Sequence, residues 1–162
     1  AFFISNDFRI DVEVYIVLDS SEDFPRTIKL SACEGLSISG FHEEAITQLI
    51  ENALKNSSGL QKDQVKTVGK GITMHGFGFE RLISNLIQTR TLYLLNNKGE
   101  DIRNTNLASN PVFILSDHLM MPKKTISGLK RHGLKTISLG KKMLFASQCI
   151  VLLNHEMDLN GI

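Results

Sequence analysis

Apolar residues recur along this chain with two different periods, and each period marks a different backbone. Val12 to Leu18 (VEVYIVL) is rich in β-branched and apolar residues and ends at the turn-prone Asp19-Ser20-Ser21, which predicts a strand. Thr27 to Leu30 is its expected short partner. From Glu43 to Leu54 the apolar positions Ala45, Ile46, Leu49, Ile50, Ala53 and Leu54 fall at helical spacing, with acids in the first turn where they complement the helix dipole. Asn56 to Gly59 stops that helix, and a polar loop is expected to run on to about Gly71. The helical period returns over Phe79 to Gln88, through Leu82, Ile83, Leu86 and Ile87.

Thr91 to Leu95 (TLYLL) then reads as a buried strand closed by a turn at Asn96-Asn97-Lys98-Gly99. Pro111 to Leu115 (PVFIL) is another, ending at the polar cluster Ser116-Asp117-His118. Ile126 to His132 suits a short helix ended by Gly133, Lys135 to Leu139 a strand, and the apolar run Lys142 to Asn154 a closing helix. Strands separated by helical segments predict an α/β domain with a largely parallel sheet, whose ligands bind beyond the carboxyl ends of strands. At 162 residues and 42% hydrophobic content, one domain spanning 1–162 is expected. Ala1 runs directly into an apolar stretch, so the natural start is expected to lie further upstream.

Charge changes the picture only when it is divided along the chain. The formal net charge is +1, yet residues 1–60 hold 4 basic against 10 acidic residues and residues 61–162 hold 14 against 7. Lys123, Lys124, Lys130, Arg131, Lys135, Lys141 and Lys142 share one stretch without an acid. Such clustering suits phosphate contacts with nucleic acid, although a solvated lysine-rich face has the same signature. No run approaches the roughly 18 apolar residues of a membrane span, so a soluble protein without a membrane partner is expected. Cys33 and Cys149 lie far apart without CxxC spacing, which indicates neither zinc nor a disulfide framework and fits a reducing cytoplasm. Asn56-Ser57-Ser58, a sequon only in a secreted protein, reads as turn chemistry.

The familiar phosphate-binding patterns GxGxxG and GxxxxGK[ST] are missing, and Gly69-Lys70-Gly71 and Gly76-Phe77-Gly78 have the wrong spacing and read as turns. Asp117-His118 could set a carboxylate beside an imidazole for base work, but adjacent residues rarely face each other, and a strand-end turn is the plainer role. His155-Glu156 lacks the second histidine of HExxH, so no metal is implied. Cys149 sits in an apolar stretch with no histidine or basic neighbour to lower its pKa, and reads as a buried small hydrophobe rather than a nucleophile.

Three blocks converge on one family. Asn110 to His118 (NPVFILSDH), Ile137 to Gly140 (ISLG) and Ala146 to Ile150 (ASQCI) resemble, in order and spacing, the C-terminal cofactor region of the tRNA pseudouridine N1-methyltransferases of the SPOUT superfamily. Ala1 to Leu18 and Leu92 to Asp101 are similar to the same family, so the likeness covers nearly the whole chain. The resemblance implies an α/β fold with a mostly parallel sheet, helices on both faces and a C-terminal deep trefoil knot, usually as a homodimer. It also implies S-adenosyl-L-methionine as the methyl donor, held bent in the knot largely by main-chain atoms. The resemblance further implies an additional strand and helix, expected upstream of Ala1.

Carried over by position, the cofactor-lining residues are Leu95, Ser116, Ile137, Ser138, Leu139, Gly140, Leu144 and Cys149, with Ser116 standing where the family pattern has glycine. On the substrate side the resemblance points to Asn6-Asp7-Phe8-Arg9. Arg9 would pair with phosphate, and Asp7 would hydrogen-bond the target base or assist loss of its imide proton; a solvated loop is the competing reading. The implied activity is N1-methylation of pseudouridine in RNA, expected to be tRNA, in the cytoplasm and without a metal. Two rivals remain at this stage: a relative that methylates another RNA position such as a ribose 2′-hydroxyl, and a cofactor-binding RNA adaptor without catalysis.

Overall fold

In the computed structural model the described residues are 3, 4, 7–19, 23–40, 42–116, 123–131 and 133–162. Their contacts gather into two units, Ala1–Ile83 and Ser84–Ile162. In the first, the short strands β1 (Phe3–Ile4) and β2 (Asp7–Phe8) pair antiparallel. A four-stranded sheet follows, built from β3 (Glu13–Leu18), β4 (Arg26–Ser31), β5 (Val65–Gly69) and β6 (Ile72–His75) in the order β3-β4-β6-β5.

Strand alternation divides this sheet into two faces. Val14, Ile16, Ile28, Leu30 and Met74 fall on one face and pack with Leu49, Ile50 and Ala53 of helix α1 (Glu43–Asn56), which covers them. Thr27, Lys29, Ser31 and His75 alternate onto the other. Thr27 is fully buried there and its hydroxyl donates to the Phe77 carbonyl at 2.8 Å, so the polar side chain enters the interior with its bond made. Lys29 is held between Glu13, at 2.7 Å, and Glu34, at 2.8 Å. Burial works against its charge, but hydrogen bonds to the two carboxylates outweigh this and raise its pKa.

The largely parallel sheet expected for the chain is not found in this unit, where every pairing is antiparallel. For β5 and β6 chain length decides it. Only Lys70 and Gly71 separate β5 from β6, and parallel neighbours need a crossover of about a dozen residues or more. The polar loop expected up to Gly71 is also corrected, since β5 lies within it. Val65, Lys66 and Thr67 are exposed on the edge of the sheet, so the strand carries no apolar alternation to betray it. The glycine turn is as expected: Gly71 has φ +65°, and a Cβ there would press on backbone atoms of Ser31 and Leu36.

Helix α2 (Phe79–Leu86) precedes the second sheet, whose strands β7 (Thr91–Asp101), β8 (Pro111–Ile114) and β9 (Lys135–Ser138) are all parallel, in the order β8-β7-β9. Helix α3 (Lys123–Arg131) supplies part of the crossover between β8 and β9, and α4 (Ala146–Leu159) closes the chain. Gly133, at φ +89°, ends α3 in the left-handed conformation, with the Leu134 amide donating to the Leu129 carbonyl at 3.2 Å. Tyr93, Ile102, Ile137 and Leu153 form the core, with Leu95, Leu107, Phe113, Leu115 and Leu139 packed against it. The Tyr93 hydroxyl accepts the Ala108 amide at 3.0 Å, which satisfies the one polar atom of a fully buried ring.

Several boundaries differ from the sequence reading, among them the start of α3, at Lys123 rather than Ile126. The closing helix starts at Ala146 rather than Lys142, because the Gln148 side chain accepts the Phe145 amide at 3.0 Å and fixes the first turn there. The turn expected at Asn96–Gly99 is instead an interruption inside β7. Ile137 is in register with Leu95 and again with Glu100, and the four residues between leave the ladder. No helix among the described residues is long and apolar enough to cross a membrane.

Candidate cofactor site

The parallel register sets the site. Leu94 lies opposite both Ile114 and Thr136, so the three strands reach their carboxyl ends at one edge. Leu95, Ser116 and residues 137–140 therefore gather where ligands bind in sheets of this kind. Leu95 and Leu139 are half-buried and pack against the Tyr93–Ile137–Leu153 cluster, while Ser116 is exposed just past β8. Asp117 and His118 lie outside the described residues.

The segment after β9 is bent by its own side chain. The buried Ser138 hydroxyl donates to the Gly140 carbonyl at 3.0 Å and accepts the Gly140 amide at 3.1 Å, pinning a glycine whose φ is +126°. That angle excludes side chains at ordinary cost. A Cβ at Gly140 would meet nothing within 4 Å, so the main chain on that side is open to a bound molecule. Residues 137–140 thus run from the buried Ile137 to the half-buried Leu139 and a glycine whose backbone is bent by its neighbour.

Leu144 and Cys149 bracket the start of α4 and are both half-buried, and the Cys149 amide makes the first helical bond, to the Phe145 carbonyl at 3.0 Å. Burial pushes the Cys149 thiol up from its ordinary value, so it stays protonated near neutrality. A lining role suits it better than nucleophilic work.

Gly99 is the residue whose importance the sequence reading did not register. A Cβ on it would lie 2.5 Å from the carbonyl carbon of Ile137 and 2.7 Å from its Cα and nitrogen. Only glycine lets the two backbones approach this closely. Just beyond, Asp101 accepts the Arg103 amide at 3.0 Å and the guanidinium Nε at 2.9 Å, and this Arg103 contact lowers its carboxyl to about 2. The strand is thereby fixed on both sides of the crossing.

The substrate-side candidates belong to the N-terminal unit. Asp7 lies in β2, and Asn6 is outside the described residues. Arg9 turns to Asp11, with Nη2 2.7 Å from Oδ2 and Nε 3.2 Å from Oδ1, and its side chain is only 9% exposed. The hydrogen bond from Arg9 lowers the Asp11 pKa, so the pair is charged at neutral pH. In the C-terminal unit Lys130, Arg131, Lys135, Lys141 and Lys142 are all exposed.

A parallel sheet whose strands reach their carboxyl ends beside the bent Ser138–Gly140 segment defines an α/β protein of the class that binds ligands at that edge. Comparison with known proteins makes the assignment particular. The profile of the family described as "Putative SAM-dependent RNA methyltransferase" matches residues 1–162. A "Putative pseudouridine methyltransferase" of Vibrio vulnificus (strain CMCP6) is 45% identical over 157 residues, 97% of this chain and 79% of that protein. Another of the same name, from Alcanivorax borkumensis, is 46% identical over 162 residues, 99% of this chain and 81% of its own. Among solved structures, Archaeoglobus fulgidus Nep1 bound to S-adenosylhomocysteine is similar in fold, with a TM-score of 0.62 over 97% of this chain and 66% of that one, at 14% identity. The chain belongs to this family of S-adenosylmethionine-dependent RNA methyltransferases.

Proposed function

We propose that this protein methylates N1 of pseudouridine in RNA, with tRNA as the substrate. The observation that carries the reading is the near-complete match, at 45–46% identity, to relatives named as pseudouridine methyltransferases. Bound S-adenosylmethionine supplies an electrophilic methyl group, which passes to the ring nitrogen as the carbon–sulfur bond breaks and the nitrogen gives up its proton.

The chain's own residues bind, orient and exclude water. Ile137 to Gly140 hold the adenine end through main-chain groups, with Leu95, Leu139 and Leu144 as dry walls, Cys149 as a small lining residue and Ser116 contributing backbone. Asp7 hydrogen-bonds the target base or receives the proton that N1 gives up, and Arg9, aimed by Asp11, takes an RNA phosphate. Holding donor and acceptor in line removes the entropy cost of their encounter, the term such a site is best built to supply. The target base leaves its stack to reach the methyl group.

The finer architecture belongs to the same proposal: one domain, helices on both faces of the parallel sheet and a knotted C-terminal part. The close approach of Gly99 to Ile137 supports threading of the chain at that point. A homodimer would cover Val151, Leu152 and Leu159, apolar side chains exposed on α4. The free thiols of Cys33 and Cys149 agree with work in a reducing cytoplasm. Incubation with labelled S-adenosylmethionine and total RNA, followed by nucleoside mass spectrometry, tests the reaction. Labelled N1-methylpseudouridine is the expected product, and label confined to ribose would reject the assignment.

A further inference from the structure

Resting on the RNA-methyltransferase reading, we propose that the connection Lys141–Phe145, between β9 and α4, is a single-strand RNA-reading element in which Lys141 and Lys142 hold backbone phosphates and Phe145 stacks on an unpaired base. The segment is anchored at both ends. On one side Ser138 pins Gly140, and on the other the Gln148 side chain holds the Phe145 amide. Between these anchors Met143 is 94% exposed and Phe145 79% exposed, although Leu144 between them is half-buried. Two large apolar side chains are therefore held toward solvent by a fixed backbone, beside two exposed cations.

Charge selects the occupant. Several cations of the N-terminal unit have an acid partner: Arg9 with Asp11, Arg26 with Asp23, Lys29 with Glu13 and Glu34, Lys55 with Glu51. Lys141 and Lys142 have none among the described residues, and no acid occurs in the sequence between Asp117 and Glu156. A two-fold contact between copies centred on this segment would bring four ammonium groups into one interface, whereas a polyanion is drawn to them. Cations interleaved with an exposed aromatic side chain are what an unpaired nucleotide requires, since every base offers a π-face and every linkage a phosphate. The position fits the reaction, because the cations directly follow Gly140 and would hold the nucleotides that flank the base to be methylated.

The full chain is titrated by fluorescence anisotropy with two probes, a synthetic RNA hairpin carrying one pseudouridine in its loop and unfractionated bacterial tRNA. The Lys141→Gln/Lys142→Gln double variant should bind more weakly, with a slope of log K against log salt shallower by about 1.4, at ~0.7 per single-strand phosphate contact. Phe145→Ala should lose about tenfold or more in affinity and Phe145→Trp should restore it, as stacking on a base predicts. Phe145 caps α4 through its backbone, so its truncation leaves the helix start intact, and calorimetry should find S-adenosylmethionine affinity unchanged in all variants.

Wild-type affinity and salt slope in the double variant would overturn the proposal. So would a change of oligomeric mass on Phe145→Ala, which would give the surface to a second copy, or no affinity of the wild-type chain for either probe. Binding is read without turnover, so the two readings fail separately. Wild-type protein that binds RNA yet leaves pseudouridine unmethylated defeats the assigned reaction, and variants that bind like wild type while methylation persists defeat this inference alone.

Discussion

Gly99→Ala tests how tightly the proposed cofactor segment, residues 137–140, depends on the close approach of β7 and β9. The added methyl would sit 2.5–2.7 Å from three backbone atoms of Ile137, where ordinary contact begins at 3.4 Å. The two strands must therefore separate by roughly 0.7–0.9 Å, and because the obstacle is main chain, no rotamer change relieves it. Overpacking of this kind costs about 1–3 kcal/mol. For a chain of this size, about 2 kcal/mol lowers Tm by roughly 4–8 °C. Ile137 opens the proposed cofactor segment, so on that proposal part of the strain should appear as lost affinity: each 1.4 kcal/mol raises the Kd for S-adenosylmethionine about tenfold. Gly128→Ala is the control. It lies inside α3 without a positive φ and with no atom within 4 Å of a Cβ, so it should gain about 0.5–1 kcal/mol. Thermal scans and calorimetric titration of the three proteins decide the matter. Gly99→Ala with wild-type Tm and Kd, in scans that resolve the Gly128→Ala increase, would refute the reasoning.

Ser138→Ala removes the hydroxyl that satisfies both polar groups of Gly140, a loss of about 1–3 kcal/mol that should raise the Kd for S-adenosylmethionine several-fold or more, and an unchanged calorimetric titration would remove the hydroxyl from the account. His75 has both ring nitrogens buried without a hydrogen-bond partner among the described residues, and burial, aided by the charge of Lys29, lowers its pKa. The unfolded chain then binds a proton more readily than the folded one, so stability is full above the ordinary histidine pKa near 6.5 and falls as pH drops through the depressed folded value. Urea midpoints measured from pH 7.5 downward, values chosen to straddle roughly that range, should decline for the wild type and decline less for His75→Leu; parallel curves would contradict the assignment. Leu153→Ala empties a 3%-exposed position beside Tyr93, Ile102 and Ile137 and should cost about 2–5 kcal/mol in chemical denaturation, with a change below about 1 kcal/mol showing that the cluster does not depend on it.

Most elements that bury an apolar face were visible in the residues, although β6, which carries the buried Met74 inside the sheet, was not read as a strand. Glu43–Asn56 repeats its apolar positions at helical spacing, and Thr91–Leu95, Pro111–Leu115 and Lys135–Leu139 carry the β-branched and apolar runs of a buried parallel sheet. β5 was missed because an exposed edge strand has no such pattern, and the glycines flanking Lys70 marked a turn without revealing that two strands meet at it. The cofactor candidates at 137–140 were legible only as a resemblance, since a pocket that grips through main chain leaves little trace in residue type.

By itself, then, the order of residues determined most of the interior helices and strands and which family the chain joins, because burial and close backbone approach act directly on side-chain size and polarity. Only the tertiary structure decided that the N-terminal sheet is antiparallel and that Gly99 is required by contact with Ile137 rather than by a turn. Those facts depend on which distant backbone lies alongside, a matter of long-range pairing that no local period encodes.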